Sequence, residues 1–282
     1  MKQTHSISKK IKTEEDVVEE LDLSYQNLTE LPPLPPGLKR LNCRGNKLTK
    51  LPYPLPSGLE VLYCHGNQLT ALPPLPPGLK ELDCGGNQLT ALPPLPSGLE
   101  KLSCRYNQLT ALPPLPPGLK TLNCHDNKLT VLPPLPSTLK VLFGGLNNLT
   151  ALPLLPSGLE ELYFSSNRLT ALPHLPPTLE ILDCYGNNIT TLPPLPPGLK
   201  KLNCNFNQLI ALPPLPPMLK ELYCIGNHLH YTVTTIDEIR NEQWHELFMI
   251  NHVVSRMTTK LGHGKETGSS FKWLENEIIK KF

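Results

Sequence analysis

The stretch from Leu31 to Leu51 reads LPPLPPGLKRLNCRGNKLTKL, and close copies of it follow one another through most of the chain. An asparagine column marks the copies with a period of 20 residues, which lengthens to 21 only between the first two members. The column comprises Asn46, Asn67, Asn87, Asn107, Asn127, Asn147, Asn167, Asn187, Asn207 and Asn227. A unit this short cannot bury an apolar face alone, so the copies are expected to stack into a solenoid.

The second half of each copy predicts a short strand. The segment from Leu38 to Leu48 has the pattern L-x-x-L-x-C-x-x-N-x-L, which is that of a leucine-rich repeat with cysteine in the third apolar place. Leu41 and Cys43 are two residues apart, so both face the inner side of the strand. We expect Asn46 to lie at the following turn and to hydrogen-bond backbone groups of adjacent coils. The stacked strands predict a horseshoe with a parallel β-sheet on its concave face.

The first half of each copy, LPPLPPGL, is rich in proline, of which the chain has 34. Proline lacks a backbone donor and disfavours helix, so this half is expected to be extended and polyproline-like, on the convex side. Its leucines, such as Leu31, Leu34 and Leu38, are expected to point into the shared core.

Charge is balanced over the chain and patterned locally. The net charge of +2 gives no reason to expect a nucleic-acid partner, and no apolar run approaches the ~20 residues of a membrane helix. Acidic and basic residues alternate from coil to coil at one position: Glu19, Lys39, Glu60, Lys80, Glu100 and Lys120. Opposite charges on adjacent coils favour this register, although exposed pairs contribute only about 0–1 kcal/mol each.

The eight cysteines share one inward column: Cys43, Cys64, Cys84, Cys104, Cys124, Cys184, Cys204 and Cys224. Leu23, Gly144 and Phe164 fill the same column in other copies, so the thiols are predicted to be packing groups. No C-x-x-C pair is present, which disfavours a zinc site. A column of reduced thiols indicates a reducing compartment, and we expect the protein to be cytoplasmic.

Both ends of the repeat array require caps, because an open solenoid end exposes its core. We divide the chain into an N-terminal segment with a short capping helix (1–17), a solenoid of about 11 repeats (18–231) and a C-terminal segment (232–282). Apolar spacing predicts helices near 235–260 and over 271–282. These helices either cap the last coil or dock a partner.

No catalytic constellation is recognisable in the sequence. The chain has no glycine-rich phosphate loop after a strand, no H-E-x-x-H motif and no plausible triad. His65 and His125 are three coils apart, roughly 14 Å, and His228 and His230 lack a third ligand. We therefore expect no enzyme activity, no cofactor and no metal.

The exposed face of the strands is where binding is expected, since its side chains are free of core packing. An apolar group is predicted on three consecutive coils: Val141, Phe143, Leu146, Tyr163, Ile181 and Tyr185. A basic and aromatic group is predicted in the N-terminal half: Arg44, His65, Arg105, Tyr106 and His125. Both groups are candidate contacts for a protein partner on the concave face, with Phe143, Tyr163 and Tyr185 as anchors.

The motif Leu92-Pro93-Pro94-Leu95-Pro96-Ser97-Gly98-Leu99 resembles the short repeats of type III secreted bacterial effectors, the YopM- and IpaH-like group. The cysteine column is also similar to cysteine-bearing repeats of bacterial and giant-virus proteins. The resemblance covers about residues 18–230. It implies a host-directed effector that works in the host-cell cytosol. The ligase domain of IpaH-like proteins has a catalytic cysteine, but the last cysteine here, Cys224, lies inside the repeats, so no ligase residue carries over.

These observations predict a monomeric, non-enzymatic scaffold that binds a protein partner on its concave face. The alternative is an adaptor that recruits an enzyme, such as a ubiquitin ligase or a kinase, through residues 232–282.

Overall fold

The computed structural model describes residues 18–229 and contains two compact units, which meet in sequence between Leu149 and Thr150. Each repeat contributes one strand of three residues. The first unit has β1 (Glu20–Asp22), β2 (Arg40–Asn42), β3 (Val61–Tyr63), β4 (Glu81–Asp83), β5 (Lys101–Ser103), β6 (Thr121–Asn123) and β7 (Val141–Phe143). The second unit has β8 (Glu161–Tyr163), β9 (Ile181–Asp183), β10 (Lys201–Asn203) and β11 (Glu221–Tyr223).

The strands pair in parallel and in sequence order within each unit, which confirms the leucine-rich repeat solenoid. The register sets equivalent residues side by side, for example Leu41 against Leu62 and Leu62 against Leu82. The described residues contain no helix. The predicted capping helices fall outside 18–229, so they stay predictions.

The core consists of leucine columns and the cysteine column. The middle leucine of the strand is fully or almost fully buried from β2 to β10, while the first and third strand residues are mostly half-exposed. All eight cysteines are free, and seven of them are buried. Leu23 and Phe164 are buried in the same column, which confirms that it is a packing site. Burial raises the pKa of these thiols, to about 12 for Cys43.

The asparagine column forms the predicted ladder. Asn127, for example, donates from Nδ2 to the carbonyl oxygens of Cys104 and Cys124, at 3.1 and 3.2 Å. Its Oδ1 accepts from the backbone N–H of Leu109 at 2.9 Å. Within each unit, such an amide therefore joins its own coil to the preceding one, in a site shielded from water. Since buried backbone groups need partners, the ladder fixes the coil spacing as firmly as the leucines do.

The proline-rich halves contain neither helix nor strand, as proline content predicts. One expectation for this half is only partly correct. The last leucine, Leu38, is fully buried, but Leu31 and Leu34 are half-buried. In the next copy Leu51, Leu55 and Leu59 are all buried, so the degree of burial of the first two leucines differs between copies.

The alternating charges form ion pairs between adjacent coils. The Nζ of Lys39 lies 2.6 Å from Glu19, that of Lys80 lies 2.7 Å from Glu60, and that of Lys120 lies 2.6 Å from Glu100. Glu180 and Lys200 repeat the arrangement in the second unit, also at 2.6 Å. These pairs are exposed, so they specify register more than they stabilise the fold.

Candidate interaction surface

The first and third residues of each strand point away from the leucine core and form what we call the strand face. In the first unit this face carries a hollow of about 410 Å³. The hollow is lined by Arg44, Tyr63, His65, Glu81, Leu82, Asp83, Lys101, Leu102, Ser103, Thr121, Asn123 and Phe143. Small polar side chains from β5 and β6 lie between larger ones from β3 and β7. The hollow has the volume of a typical ligand pocket.

A chain of polar contacts crosses the hollow from β3 to β5. The pKa of Tyr63 is raised, mainly by burial and secondly by a hydrogen bond with the Glu81 carboxylate. The other neighbour of Glu81 is Lys101, whose Nζ lies 3.7 Å from its carboxylate. Because Glu81 is held from both sides, its charge is compensated within the sheet.

Asp83 is the second acid of the hollow. Its Oδ1 accepts from the backbone N–H of Gly85 at 3.1 Å, and its Oδ2 lies 3.1 Å from Nδ1 of His65. The imidazole is not aligned to donate, so Nδ1 of His65 has no hydrogen bond within the described residues although it is shielded from solvent. The Nε of Arg44 is likewise shielded and without a hydrogen bond there. These two groups keep this end of the hollow polar and able to bind further hydrogen-bonding groups.

All three arginines of the first unit lie beside or within these strands, and each contacts a tyrosine ring. The guanidinium carbon of Arg40 lies 4.8 Å from the ring centroid of Tyr63, and that of Arg44 lies 5.3 Å from the centroid of Tyr25. For Arg105 and Tyr106 the distance is 5.6 Å. These are cation–π distances, which hold the guanidinium plane without using up its N–H donors.

Glycines make room for two of these arginine–tyrosine pairs. A Cβ on Gly45 would overlap the ring of Tyr25, and a Cβ on Gly85 would lie 2.9 Å from Cγ of Arg105. Gly45 also has a left-handed φ of 65°. Only glycine meets both conditions at position 45, so the neighbouring ring and the backbone together select it.

The residue before each ladder asparagine is left-handed even where it is not glycine. Tyr106 has φ 52° and Leu146 has φ 51°, and both side chains are exposed. Both residues lie at the turn after the strand, as do Arg44, His65, Arg105 and Tyr185 one position earlier in their copies, and their contact with a partner stays a prediction. Large residues rarely adopt this conformation, which costs roughly 1–2 kcal/mol relative to glycine.

The second unit has its own strand face and an aromatic cluster at the adjoining turns. Tyr163 on β8 donates from its hydroxyl to Glu161 at 3.0 Å, and burial together with this acid raises its pKa to about 12. Tyr185 follows β9 and packs edge-on against Phe206, with ring centroids 5.4 Å apart. The predicted residue Ile181 lies half-buried on β9.

The predicted apolar group is thus divided between the units, and its continuity stays a prediction. Val141, Phe143 and Leu146 belong to the first unit, whereas Tyr163, Ile181 and Tyr185 belong to the second. In the predicted basic group, Tyr106 and His125 are brought together, with ring centroids 5.6 Å apart. Arg44 and His65 both line the hollow, and Arg105 lies outside its lining.

Sequence reasoning missed several surface residues, all of which share a column with residues that it found. They are Tyr25, Arg40, Tyr63, Glu81, Asp83 and Phe206. The signal was present, since the L-x-x-L-x-C spacing identifies every strand residue by count. The repeat spacing does not predict which neighbouring residue a long side chain contacts.

Within residues 18–229 the structure brings together no group of three or more histidine, cysteine, aspartate or glutamate side chains that could bind a metal ion. The same range contains no helix with the length and apolar character needed to cross a membrane.

Comparison with known proteins agrees with this architecture. The family described as leucine rich repeats (2 copies) matches residues 57–97, 77–117 and 177–217. The chain therefore belongs to the leucine-rich repeat proteins. Among curated proteins, none matches it.

The solved structures that resemble it include leucine-rich repeat domains of bacterial effectors. YopM from Yersinia enterocolitica is 41% identical over 76% of this chain, with a TM-score of 0.75. A leucine-rich effector protein from Yersinia pestis, also YopM, is 40% identical over 74%, with a TM-score of 0.72. The leucine-rich repeat domain of a Shigella effector is 37% identical over 53% of this chain and 69% of its own, with a TM-score of 0.50. The matched region spans 47% and 61% of the two YopM chains.

Proposed function

We propose that this chain is a non-enzymatic scaffold that binds a protein partner through its strand face, as an effector in the cytosol of a host cell. The hollow of the first unit is the observation that carries this proposal. It combines a rigid floor of paired strands with large side chains from β3 and β7 and polar groups between them. Interfaces commonly place aromatic and arginine anchors around such a recess.

The repeat architecture supports a binding role over a catalytic one. Every coil supplies the same backbone, while the first and third strand residues change from coil to coil, as in Glu81 and Asp83 against Thr121 and Asn123. Such a sheet offers many independent contact positions on one surface. The resemblance to YopM and to the Shigella effector domain supports the effector role and the host cytosol as its place of action.

The proposed anchors are aromatic residues of the two strand faces and, in the second unit, of the turn after β9. Phe143 lines the hollow of the first unit and is half-buried. In the second unit, Tyr163 is half-buried on β8, and Tyr185 is exposed and packed against Phe206. Truncation of an interface anchor often costs 2 kcal/mol or more, which is about 30-fold in affinity.

The test is capture of partners from host-cell cytosol with the full chain and three variants. One variant removes Tyr63 and Phe143 from the first unit, and another removes Tyr163 and Tyr185 from the second, each by alanine. The control carries Thr110→Ala and Thr130→Ala, since these threonines are exposed and outside the strands. We expect a partner that the wild type and the control retain equally and that at least one strand-face variant loses. Equal retention by all four proteins, each with unchanged circular dichroism, would show that the strand face is not the binding surface.

A further inference from the structure

We propose that the first unit recognises an acidic segment of its protein partner on its strand face and the adjoining turns, through carboxylates that bind Arg40, Arg44 and Arg105. This inference rests on the proposed function and specifies the chemistry of the partner. It follows from a difference between the lysines and the arginines of this unit.

The lysines beside the strands are neutralised within the sheet. Lys39, Lys80, Lys101 and Lys120 each pair with a glutamate of the preceding coil. Their charges are therefore used to set the register and are compensated locally. A ligand that approached them would compete with an existing carboxylate.

The arginines are placed differently. Among the described residues, none of Arg40, Arg44 and Arg105 has a carboxylate oxygen within ion-pair distance. Two of them do have weaker polar neighbours: the pKa of Asp22 is lowered by hydrogen bonds with Ser24 and, to a smaller extent, by the charge of Arg44, and Arg40 interacts with the hydroxyl of Tyr63. Each arginine is held against a tyrosine ring, which fixes the guanidinium plane and leaves donors along its edge for a carboxylate of a ligand. An arginine held in this way is suited to bidentate binding of a carboxylate. Lysine, with a point charge and no planar group, would not be.

Two further features indicate that these positions are built for a ligand. The Nε of Arg44 is shielded from water and lacks a hydrogen-bond partner in the described part of the chain, so the polarity of the side chain is not satisfied internally. Gly85 leaves the space that the stem of Arg105 occupies, since a Cβ there would lie 2.9 Å from Cγ of that arginine. Neither feature contributes to the leucine core.

The spacing of the charges predicts the spacing of the acids. Arg44 follows β2 and Arg105 follows β5, three strand spacings apart, or roughly 14 Å. An extended chain covers that distance in about four to five residues. Between them lie the carboxylates of Glu81 and Asp83, which would repel further acids. The complementary segment is therefore acidic, then neutral, then acidic.

Two fluorescein-labelled peptides of identical composition test the proposal by fluorescence anisotropy at low ionic strength. The first is Glu-Glu-Ser-Gly-Ser-Glu-Glu, with its acids at both ends, and the second is Ser-Gly-Glu-Glu-Glu-Glu-Ser, whose clustered acids are never more than three positions apart. We expect the first to bind more tightly. The protein variants are Arg40→Gln/Arg44→Gln/Arg105→Gln and, as a charge-matched control, Lys39→Gln/Lys80→Gln/Lys120→Gln. We expect the arginine variant to bind the first peptide at least about ten-fold more weakly and the lysine control to resemble the wild type.

Several outcomes would overturn the proposal. Equal losses in both variants, or equal affinity for both peptides, would mean that net charge alone attracts the probe. Failure of both peptides to bind the wild type would exclude an acidic partner, and tighter binding of a single-stranded oligonucleotide would assign the arginines to phosphates. If the triple arginine variant does not fold, the exposed Arg105→Gln alone must still weaken binding. Failure of the peptide test, together with partner capture that depends on Tyr63 and Phe143, would refute the acidic partner and leave the proposed function standing.

Discussion

Replacement of Asn127 by alanine tests whether the ladder holds the coils together. The side chain is 7% exposed and makes contacts with two coils. The substitution removes the acceptor of the Leu109 N–H, which has no other hydrogen-bond partner among the described residues and belongs to a fully buried residue. The carbonyl oxygens of Cys104 and Cys124 lose one donor each but keep another, from Asn107 and Asn147 respectively.

The magnitude follows from this count. One orphaned buried N–H costs about 1–3 kcal/mol, and two weakened carbonyls add less than that. We expect a total loss of about 2–3 kcal/mol in the free energy of unfolding. The control is Asn42→Ala on the strand face, which loses an exposed hydrogen bond to Asp22 and a long one, of 3.4 Å, from the backbone N–H of Arg44, and should stay within about 0.5 kcal/mol of the wild type.

The assay is equilibrium unfolding in urea, followed by far-ultraviolet circular dichroism, with the midpoint and slope measured for each protein. Asn127→Asp adds a pH readout, because it keeps the acceptor for Leu109 and replaces the donor by a carboxylate that faces two carbonyl oxygens. Burial and these carbonyls should raise the pKa of the new carboxyl. Stability relative to the wild type should therefore be highest at acid pH and fall as pH rises through that pKa. Equal midpoint shifts for Asn127→Ala and Asn42→Ala, or no pH dependence for Asn127→Asp, would refute the ladder.

Other predictions concern the thiols and the glycines. Maleimide should label the native thiols slowly, beginning with the half-buried Cys224, and label all eight rapidly in urea; fast native labelling of several thiols would contradict their role in packing. Because burial raises the pKa of Cys43 and Cys124 to about 12, the contribution of the thiols to the free energy of unfolding should be constant below about pH 8.5 and fall as pH rises above it, as unfolded thiols ionise. Gly45→Ala should cost at least about 1–2 kcal/mol, since its Cβ meets the Tyr25 ring at a left-handed φ, whereas Gly98→Ala, with open space around it, should be neutral or slightly stabilising in thermal unfolding. A similar melting temperature for the two alanine variants would show that Tyr25 and the turn adapt freely.

The periodic positions were predictable because equivalent positions in different copies share the same environment, so each copy provides evidence about the others. Leu23 and Phe164 stand where other copies have cysteine, so the sequence alone indicates a packing column, and both residues are buried there. The asparagines were equally readable, since a polar residue that recurs at every turn of an apolar stack must meet backbone groups. In a solenoid each column has one environment, so ten copies of the repeat provide ten observations of it.

The surface was predicted less well, for two physical reasons. The left-handed turn accepts Gly86 and Tyr106 alike, so residue type alone did not reveal that Tyr106 and Leu146 lie beyond the strand. A long side chain can also contact any of several residues on the adjacent strand. Arg40 is in register with Val61 but contacts the diagonal residue Tyr63, and only the rotamer decides between them.

The reach of each asparagine has a consequence for how such a chain can change over generations. Its hydrogen bonds join residues 18 and 23 positions apart, so they extend no further than the adjoining coil. Loss or duplication of one 20-residue period by genetic recombination would thus give every remaining asparagine an equivalent partner. The chain would keep its fold, while the separation of Arg44 from Arg105 would change in steps of about 4.8 Å. Gain or loss of whole repeats can therefore change the distance between contact residues by one strand spacing at a time, without any new side chain.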